Sequence, residues 1–233
     1  MTDAHLPVYE QLARIGKGVA SAHRIHLLDL LAQGEKTVET LAGEAGISVK
    51  NASAHLKVLR GARLVESRKD AQFSIYRLAD AAVASFVVAL RNLAENRLAE
   101  MREFTAEFLA NRERLTAVDR RRLLQRMRDG EVIVLDVRAT AEYEAGHIPG
   151  ARSVPLPQLE QVLRTIPKDK EIIAYCRGPY CGLSEQAVAL LRRRGYRAAR
   201  IHDGVIDWHD AGLPVERSRR TRTERHTKRS VAS

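Results

Sequence analysis

The chain is short of several things, and each shortage narrows what it can be. Two cysteines in 233 residues are too few for a disulfide scaffold. In a reducing compartment a close pair such as Cys176 and Cys181 suits reactivity or metal binding better than structure. Aromatic residues make up only 5% of the chain, with one tryptophan, so Leu, Val, Ile and Ala must fill the cores. No apolar run approaches the ~20 residues of a membrane span, and the start, Met1-Thr2-Asp3-Ala4-His5, lacks the basic-then-apolar layout of a signal peptide. A cytoplasmic protein with no membrane partner is expected. Acidic residues are also in deficit, 29 against 39 Lys and Arg for a formal charge of +10, which points to a polyanionic partner, nucleic acid first.

The length suits one large domain or two of roughly 100–150 residues, and the patterns along the chain favour two. In the first, Ile25, Leu27, Leu28, Leu30 and Leu31 describe a helix ending near Gln33-Gly34. Thr37 then opens a short helix through Ala45, with Thr40 one turn on. Gly46 supplies a tight turn, and Ser48 caps a second helix, Val49 to Arg60. Its Ala52, Leu56 and Leu59 form a buried stripe, leaving Lys50, Asn51, Ser53, His55 and Lys57 on other faces. This is the recognition-helix arrangement of a helix-turn-helix.

Leu64 to Arg68 and Phe73 to Leu78 alternate around a polar Lys69-Asp70-Ala71-Gln72 turn, the pattern of a hairpin. Beside a recognition helix this is a wing, and Arg68 and Lys69 near its tip suit phosphate contact. Asn51 has the groups for bidentate adenine contact. His55 suits a base, a phosphate or a backbone group, and Lys50 and Lys57 are either DNA contacts or solvated lysines. Val83 to Leu115 keeps helical spacing through Phe86, Val87, Leu90, Leu93, Leu98, Met101, Phe104 and Phe108. One long helix is expected there, serving a homodimer that sets two recognition helices one turn apart on double-stranded operator DNA.

The run Gly46-Ile47-Ser48 with Ser53-Ala54-His55-Leu56-Lys57-Val58-Leu59, then Gly61-Ala62-Arg63-Leu64-Val65 and Tyr76-Arg77-Leu78, resembles the ArsR-type winged-helix repressors. The resemblance implies a homodimer that binds palindromic operators and releases them on sensing a metal or a reactive sulfur or oxygen species. The helix Val38 to Ala45 has no cysteine, however, and the long helix from Ala79 onward has no histidine. Neither usual metal site of that family can be built, so no metal is expected, and no other cofactor.

After Arg112-Glu113-Arg114 a helix from Val118 to Arg128 ends at Asp129-Gly130, and strand and helix then alternate. Val132 to Leu135 and Glu171 to Ala174 read as buried parallel strands, with helices at Leu156 to Thr165 and Leu183 to Arg194. A small α/β domain with a parallel sheet follows. Its most informative stretch is Tyr175-Cys176-Arg177-Gly178-Pro179-Tyr180-Cys181-Gly182, between an apolar strand and a helix. A strand turning abruptly into a helix aims backbone N–H groups and the positive end of the helix dipole at the loop's centre, favouring a bound anion and a thiolate over a thiol. Cys176, Arg177 and Cys181 are the candidate chemical groups, and Gly178, Tyr180 and Gly182 the candidate anion cradle.

Leu135-Asp136-Val137-Arg138, Glu142-Tyr143 and Gly146-His147-Ile148-Pro149-Gly150-Ala151, with Trp208 and Gly212-Leu213-Pro214-Val215, resemble the rhodanese family over nearly the whole second half. The resemblance places the catalytic cysteine at Cys176 and implies sulfane sulfur carried there as a persulfide. Asp136, Arg138, Glu142 and His147 are expected to be structural, with an Arg138 to Glu142 pair tying a strand end to a helix. Cys181 and Gly182 stand where common single-domain members have Arg and Ser, which leaves substrate choice open between a sulfane-sulfur donor and an oxyanion. A phosphatase-like loop needs an arginine six residues after its nucleophile, where this chain has Gly182. Cys181 has two readings: it attacks a persulfide or sulfenate on Cys176, releasing sulfur and closing a disulfide, or it is a small apolar residue with no chemistry.

The expected organisation is therefore residues 1–115 as a mainly α winged helix-turn-helix for DNA binding and dimerisation, residues 116–216 as a rhodanese-like α/β domain, and residues 217–233 as a disordered basic tail. That tail holds seven basic residues and one acidic residue, and either adds salt-sensitive DNA affinity or has no role. The leading function is a homodimeric transcriptional repressor that responds to sulfur or oxidation at Cys176. The alternatives are a thiosulfate or persulfide sulfurtransferase that uses the winged helix for localisation or dimerisation, and an inert rhodanese fold used as a binding module.

Overall fold

The computed structural model describes residues 5–110 and 120–218. Pro7 sits in the first turn of α1 (Leu6–Val19), where its missing N–H removes no helical bond. α2 (Ala22–Ala32) carries the apolar run found in the sequence, with Leu27, Leu28, Leu30 and Leu31 all buried. A two-residue strand, β1 (Lys36–Thr37), then leads into α3 (Val38–Ala45), whose first turn is capped by the Thr37 hydroxyl accepting from the Thr40 amide. Gly46 exits the helix at φ 66°, and the Ser48 hydroxyl accepts from the Asn51 amide to open α4 (Val49–Gly61). Both caps and the left-handed glycine are the features the sequence offered for a helix-turn-helix.

β2 (Val65–Asp70) and β3 (Phe73–Leu78) pair antiparallel, and β1 adds to the far side of β3 to give the order β1-β3-β2. The wing turn is tighter than expected. Asp70 pairs with Phe73, so only Ala71 and Gln72 lie between the strands, and Ala71 supplies the positive φ of 51° that a two-residue turn needs. Asp80 caps α5 (Ala81–Arg97) by accepting from the Val83 amide at 3.2 Å. The single long helix expected from Val83 to Leu115 is instead two, because Leu98 is extended (φ −99°, ψ 116°) before α6 (Ala99–Ala110) begins. No proline or glycine marks that break. The end of the expected dimer helix and the join between the two expected domains fall within residues 111–119, and most of the basic tail within 219–233; both stretches lie outside the described residues.

The second half opens with α7 (Arg120–Arg128), followed by β4 (Val132–Asp136), α8 (Thr140–Ala145) and β5 (Arg152–Ser153). The stretch from Leu156 to Thr165 is not one helix but two 3-10 turns flanking the four-residue α9 (Leu159–Val162). β6 (Glu171–Tyr175), α10 (Leu183–Arg193), β7 (Ala198–Arg200) and α11 (Val205–Asp210) complete it. The four strands form a parallel sheet in the order β5-β4-β6-β7. β4 and β6 are central and covered on both faces, which explains their unbroken apolar runs. Ile172, Leu159 and Leu191 fill one face, and Ile173, Leu123, Ile148 and Trp208 the other. No helix among the described residues is long and apolar enough to cross a membrane.

The expected Arg138 to Glu142 pair is replaced by a closer one. Asp136, two residues before Arg138, accepts its backbone amide at 3.0 Å and its guanidinium at 2.6 Å, and the Tyr175 hydroxyl donates to the same carboxylate at 2.6 Å. The Gly146 carbonyl accepts another guanidinium N–H at 2.7 Å. The turn at the end of β4 settles the partner: Asp136 shares it with Arg138, while Glu142 is drawn away to Lys36 and Arg177. His147 has the structural place expected of it, stacked on Tyr143 at 3.7 Å with Nδ1 2.8 Å from the Tyr143 carbonyl.

Another N–H of the Arg138 guanidinium reaches across to the first half of the chain. Gln33, the C-cap of α2 and only 3% exposed, accepts it through Oε1 at 3.0 Å and donates through Nε2 to the Arg177 carbonyl at 3.4 Å. Gln33→Ala leaves a buried guanidinium N–H without its acceptor, a loss of about 1–3 kcal/mol. Urea unfolding is expected to show that loss, and an unchanged midpoint would mean that the Gln33 contact is idle.

Candidate functional site

The loop from Cys176 to Gly182 leaves β6 and enters α10 as its spacing implied. Cys176 is 2% exposed. Its sulfur lies 3.2 Å from Ser184 Oγ, 3.4 Å from the Cys181 carbonyl and 4.0 Å from the Gly178 carbonyl. The Cys181 thiol hydrogen-bonds the Cys176 sulfur and is the largest influence on it. Burial opposes ionisation, but the Ser184 hydroxyl and the Ser184 and Gly178 amides also favour the anion, and the thiol is drawn from 9.0 down to about 6. Cys181 is pushed the other way by donating to that sulfur, by burial and by the neighbouring negative charge. One thiolate at Cys176 with one neutral thiol beside it is the state the loop favours.

Of the expected cradle, Gly178 contributes an amide. Tyr180 turns outward, 42% exposed, with its hydroxyl on Glu95 of α5, and Gly182 serves as the N-cap of α10. Ser184, which the sequence reading passed over, supplies both a hydroxyl and an amide; its signal was a hydroxyl residue in the first turn of a helix that follows a loop. Gly204 was missed as well. A Cβ there would collide with the Arg177 carbonyl and stand 2.9 Å from the Gly178 amide nitrogen, so the bare backbone of residue 204 holds the loop from behind.

Arg177 does not face the sulfur. Its guanidinium donates to Glu142 at 2.9 and 3.1 Å and to Glu44 of α3 at 3.1 Å. Lys36 of β1 closes the cluster, 3.1 Å from Glu142 and 3.3 Å from Glu44. Burial pushes the Glu142 carboxyl up, but the Arg177 bond and charge and the Lys36 charge outweigh it, holding the group below its usual range. A second tie runs from Arg91 of α5 to Asp207 of α11. Asp207 also accepts the Gly204 amide at 2.8 Å. The reactive loop therefore rests on the winged-helix half, and none of Gln33, Lys36, Glu44 or Arg91 carries a signature that sequence alone could pair with residues about a hundred positions away.

In the first half, α4 presents Lys50, Asn51, Ser53 and Lys57 exposed, with Ala52, Leu56 and Leu59 in the core. His55 is half-buried at the flank, its ring 5.5 Å from that of His23. Burial, then the neighbouring His23 and Arg24, hold its pKa below the usual value, so it is a neutral group at the helix edge. In the wing Lys69 is exposed, while Arg68 is engaged with Glu35 at 2.9 Å and Asp70 at 3.1 Å. Phosphate contact by Arg68 requires exchange of those exposed pairs, which cost little to break.

The thiolate at Cys176 is expected to titrate near pH 6 by its ultraviolet absorbance, with no second thiolate forming through neutral pH. Cys181→Ala is expected to raise that midpoint by removing the strongest donor to the sulfur, and Cys176→Ser to abolish the transition. A midpoint that stays put in Cys181→Ala would show the two thiols to be independent.

Comparison with known proteins agrees with both halves. Residues 21–67 match the bacterial regulatory protein, arsR family, and residues 119–211 match the rhodanese-like domain. The HTH-type transcriptional regulator Rv0324 of Mycobacterium tuberculosis is 40% identical over 215 residues, covering 92% of this chain and 94% of that protein. A sulfurtransferase of Allochromatium vinosum is 37% identical over 100 residues, 42% of this chain and 92% of its own. A solved fragment of Mb0332 from Mycobacterium bovis, described as a homodimeric winged helix-turn-helix DNA-binding domain, is 36% identical over 43% of this chain and 93% of its own, with a TM-score of 0.40. With a winged helix, a parallel-sheet rhodanese domain and a relative matched over nearly its whole length, the chain belongs to the HTH-type transcriptional regulators that join an arsR-family DNA-binding domain to a rhodanese-like domain.

Proposed function

We propose that the protein is a homodimeric DNA-binding regulator whose operator affinity changes when Cys176 takes up sulfane sulfur. The observation that carries this reading is the position of Arg177, bonded covalently to the sulfur-bearing residue and by its guanidinium to Glu44 of α3. Cys176 sits in a closed pocket, and packed interiors do not absorb an extra atom without movement. A sulfur added there displaces the loop, and the loop's next residue is tied to the first helix of the helix-turn-helix. Lys50, Asn51, Ser53 and Lys57 on α4, with Lys69 on the wing, form the DNA-facing surface, with His55 at its edge and Arg68 released from its carboxylates. Leu6, Val8, Tyr9 and Leu12 of α1, with Leu93 of α5 and Phe104 of α6, remain exposed, an apolar set that suits burial against a second copy.

The second reading, a sulfurtransferase, is supported by the depressed thiol of Cys176 and by the similarity to a sulfurtransferase of another bacterium. Its chemistry is attack by the Cys176 thiolate on a sulfane donor, stabilisation of the adduct by the loop's amides, and displacement by an acceptor thiol.

The deciding experiment uses a DNA fragment selected by the protein from a random pool, with affinity measured before and after polysulfide treatment and the adduct verified by intact mass. A dithiol-reversible change of about 5–150-fold is expected, the usual span of a coupling of ~1–3 kcal/mol. Cys176→Ser is expected to bind the same DNA and ignore polysulfide. Equal affinity with the adduct confirmed on Cys176 overturns the regulatory reading, and rapid sulfur turnover in that protein would establish the enzyme instead. For the DNA surface, Lys57→Ala is expected to lower the slope of log affinity against log salt by about one; an unchanged slope removes Lys57 from the interface.

A further inference from the structure

Between the two halves lies a cavity of about 650 Å³ that is walled by both. Arg177, Gly178, Pro179, Tyr180 and Cys181 of the reactive loop form one side, and Ile25 and Leu30 of α2, Val87, Leu90 and Ala94 of α5 and Met101 of α6 the other. Cys181 is the thiol in the wall, and Cys176 stands directly behind it, its sulfur 3.4 Å from the Cys181 carbonyl. Cys176 is not itself in the wall, being 2% exposed, so a donor seated in the cavity reaches its sulfur past Cys181.

The wall's two arginines are already paired, and its His26 is held below its usual pKa by burial and then by Arg177. Arg177 is paired with Glu142 and Glu44, and Arg91 with Asp207. Asp29, also in the wall, makes no hydrogen bond through its carboxylate among the described residues, and burial pushes it up to about 6. A dianion such as thiosulfate finds no uncommitted cation among these groups, and it needs a small fraction of the space. A peptide persulfide with free carboxylates meets aliphatic walls. The volume lies within the range of small-molecule sites, roughly 300–1,000 Å³, and the lining suits hydrocarbon.

We propose that this cavity is the sulfur-donor site and that it takes an organic persulfide with an uncharged, apolar body, which reacts in its protonated form, R–S–SH. The proposal rests on the reading that Cys176 takes up sulfane sulfur, and it adds the class of donor. The transfer balances without an oxidant. The Cys176 thiolate attacks the outer sulfur, the donor's S–S bond breaks as the new one forms, and the electron pair leaves on R–S⁻, which takes a proton from water. Cys176 is left as Cys–S–SH. Because α2 and α5 line the same cavity, the organic body of the donor touches the DNA-binding half while its sulfur reaches the loop.

The test loads the full-length protein with hexyl persulfide, glutathione persulfide and thiosulfate, following the rate of the sulfur adduct on Cys176 by intact mass and dividing each rate by that of the same donor with free cysteine. Hexyl persulfide is expected to be favoured by tenfold or more over glutathione persulfide, since burial of two methylene groups alone is worth roughly that. Ala94→Phe, which fills the cavity from α5, is expected to bring the preference below about twofold; Ala22→Phe, from the exposed start of α2, does the same should the first variant fold poorly. Taking a ratio on one protein cancels any general loss of Cys176 reactivity. No preference for the alkyl donor, or a preference that survives both cavity-filling variants, overturns the proposal. If Cys176 still loads from the other donors, the sulfur-responsive reading stands without it; if no donor loads Cys176, both fall.

Discussion

Four ionised side chains meet where the two halves of the chain touch: Lys36 and Arg177, with Glu44 and Glu142 between them. Two belong to each half, one of each sign. Such clusters contribute little to stability on balance, because taking the charges out of water costs about as much as their attraction returns. What they do enforce is registry. Glu142 is nearly fully buried, and any displacement that leaves it without Arg177 or Lys36 strands a charge in a poor solvent. The seam is therefore closed in one arrangement or open, with little between. Gln33, placed between the Arg138 guanidinium and the Arg177 carbonyl, adds an uncharged bond that demands the same alignment.

That constraint gives the sulfur chemistry its direction. A thiolate in an exposed loop could gain an atom with no consequence beyond the loop. Cys176 is instead enclosed by Ser184, the Cys181 thiol and the backbone of residues 177–178, and that backbone is blocked from behind by Gly204. Loading the sulfur also moves the negative charge from the Cys176 sulfur to the added atom, so the Cys181 thiol and the Ser184 hydroxyl lose the acceptor they now share. Steric and electrostatic effects act on the same few bonds, and the residue bonded to both sides of the seam is the one adjacent to the sulfur.

The sequence revealed those parts whose cause is local. Thr37 and Ser48 cap helices because a hydroxyl at that position satisfies an amide three residues on, and Gly46 turns because it alone tolerates a positive φ cheaply. β4 and β6 were legible because strands covered on both faces need unbroken apolar runs. β1 was not, being two residues long and held only by pairing with β3. The break at Leu98 had no composition to announce it. Arg138 was given the wrong carboxylate because Asp136 and Glu142 stand at comparable sequence distances, and only the turn at the end of β4 decides between them. Within the site, the two cysteines and the strand-loop-helix pattern were enough to single out the loop, whereas the cavity beside it was hidden because its other wall is made of ordinary aliphatic residues from α2, which read as core, and from α5 and α6, which read as a dimer helix.

Those aliphatic residues carry the last step. Leu30 and Val87 belong to the core that holds the helix-turn-helix together and also face the interdomain cavity, so one set of side chains serves the DNA-binding fold and the cavity beside the reactive loop. A helix whose inner face is core and whose outer edge is cavity wall responds to occupancy of that cavity by repacking and not by bending, because close-packed interiors shift between discrete arrangements. α2 is in contact with α3 and α4, and α3 is already tied to Arg177. On the proposed reading, the loop's charge and the cavity's apolar wall reach the recognition helix through neighbouring elements of a single core, with no separate transmitting device between the sulfur and the DNA.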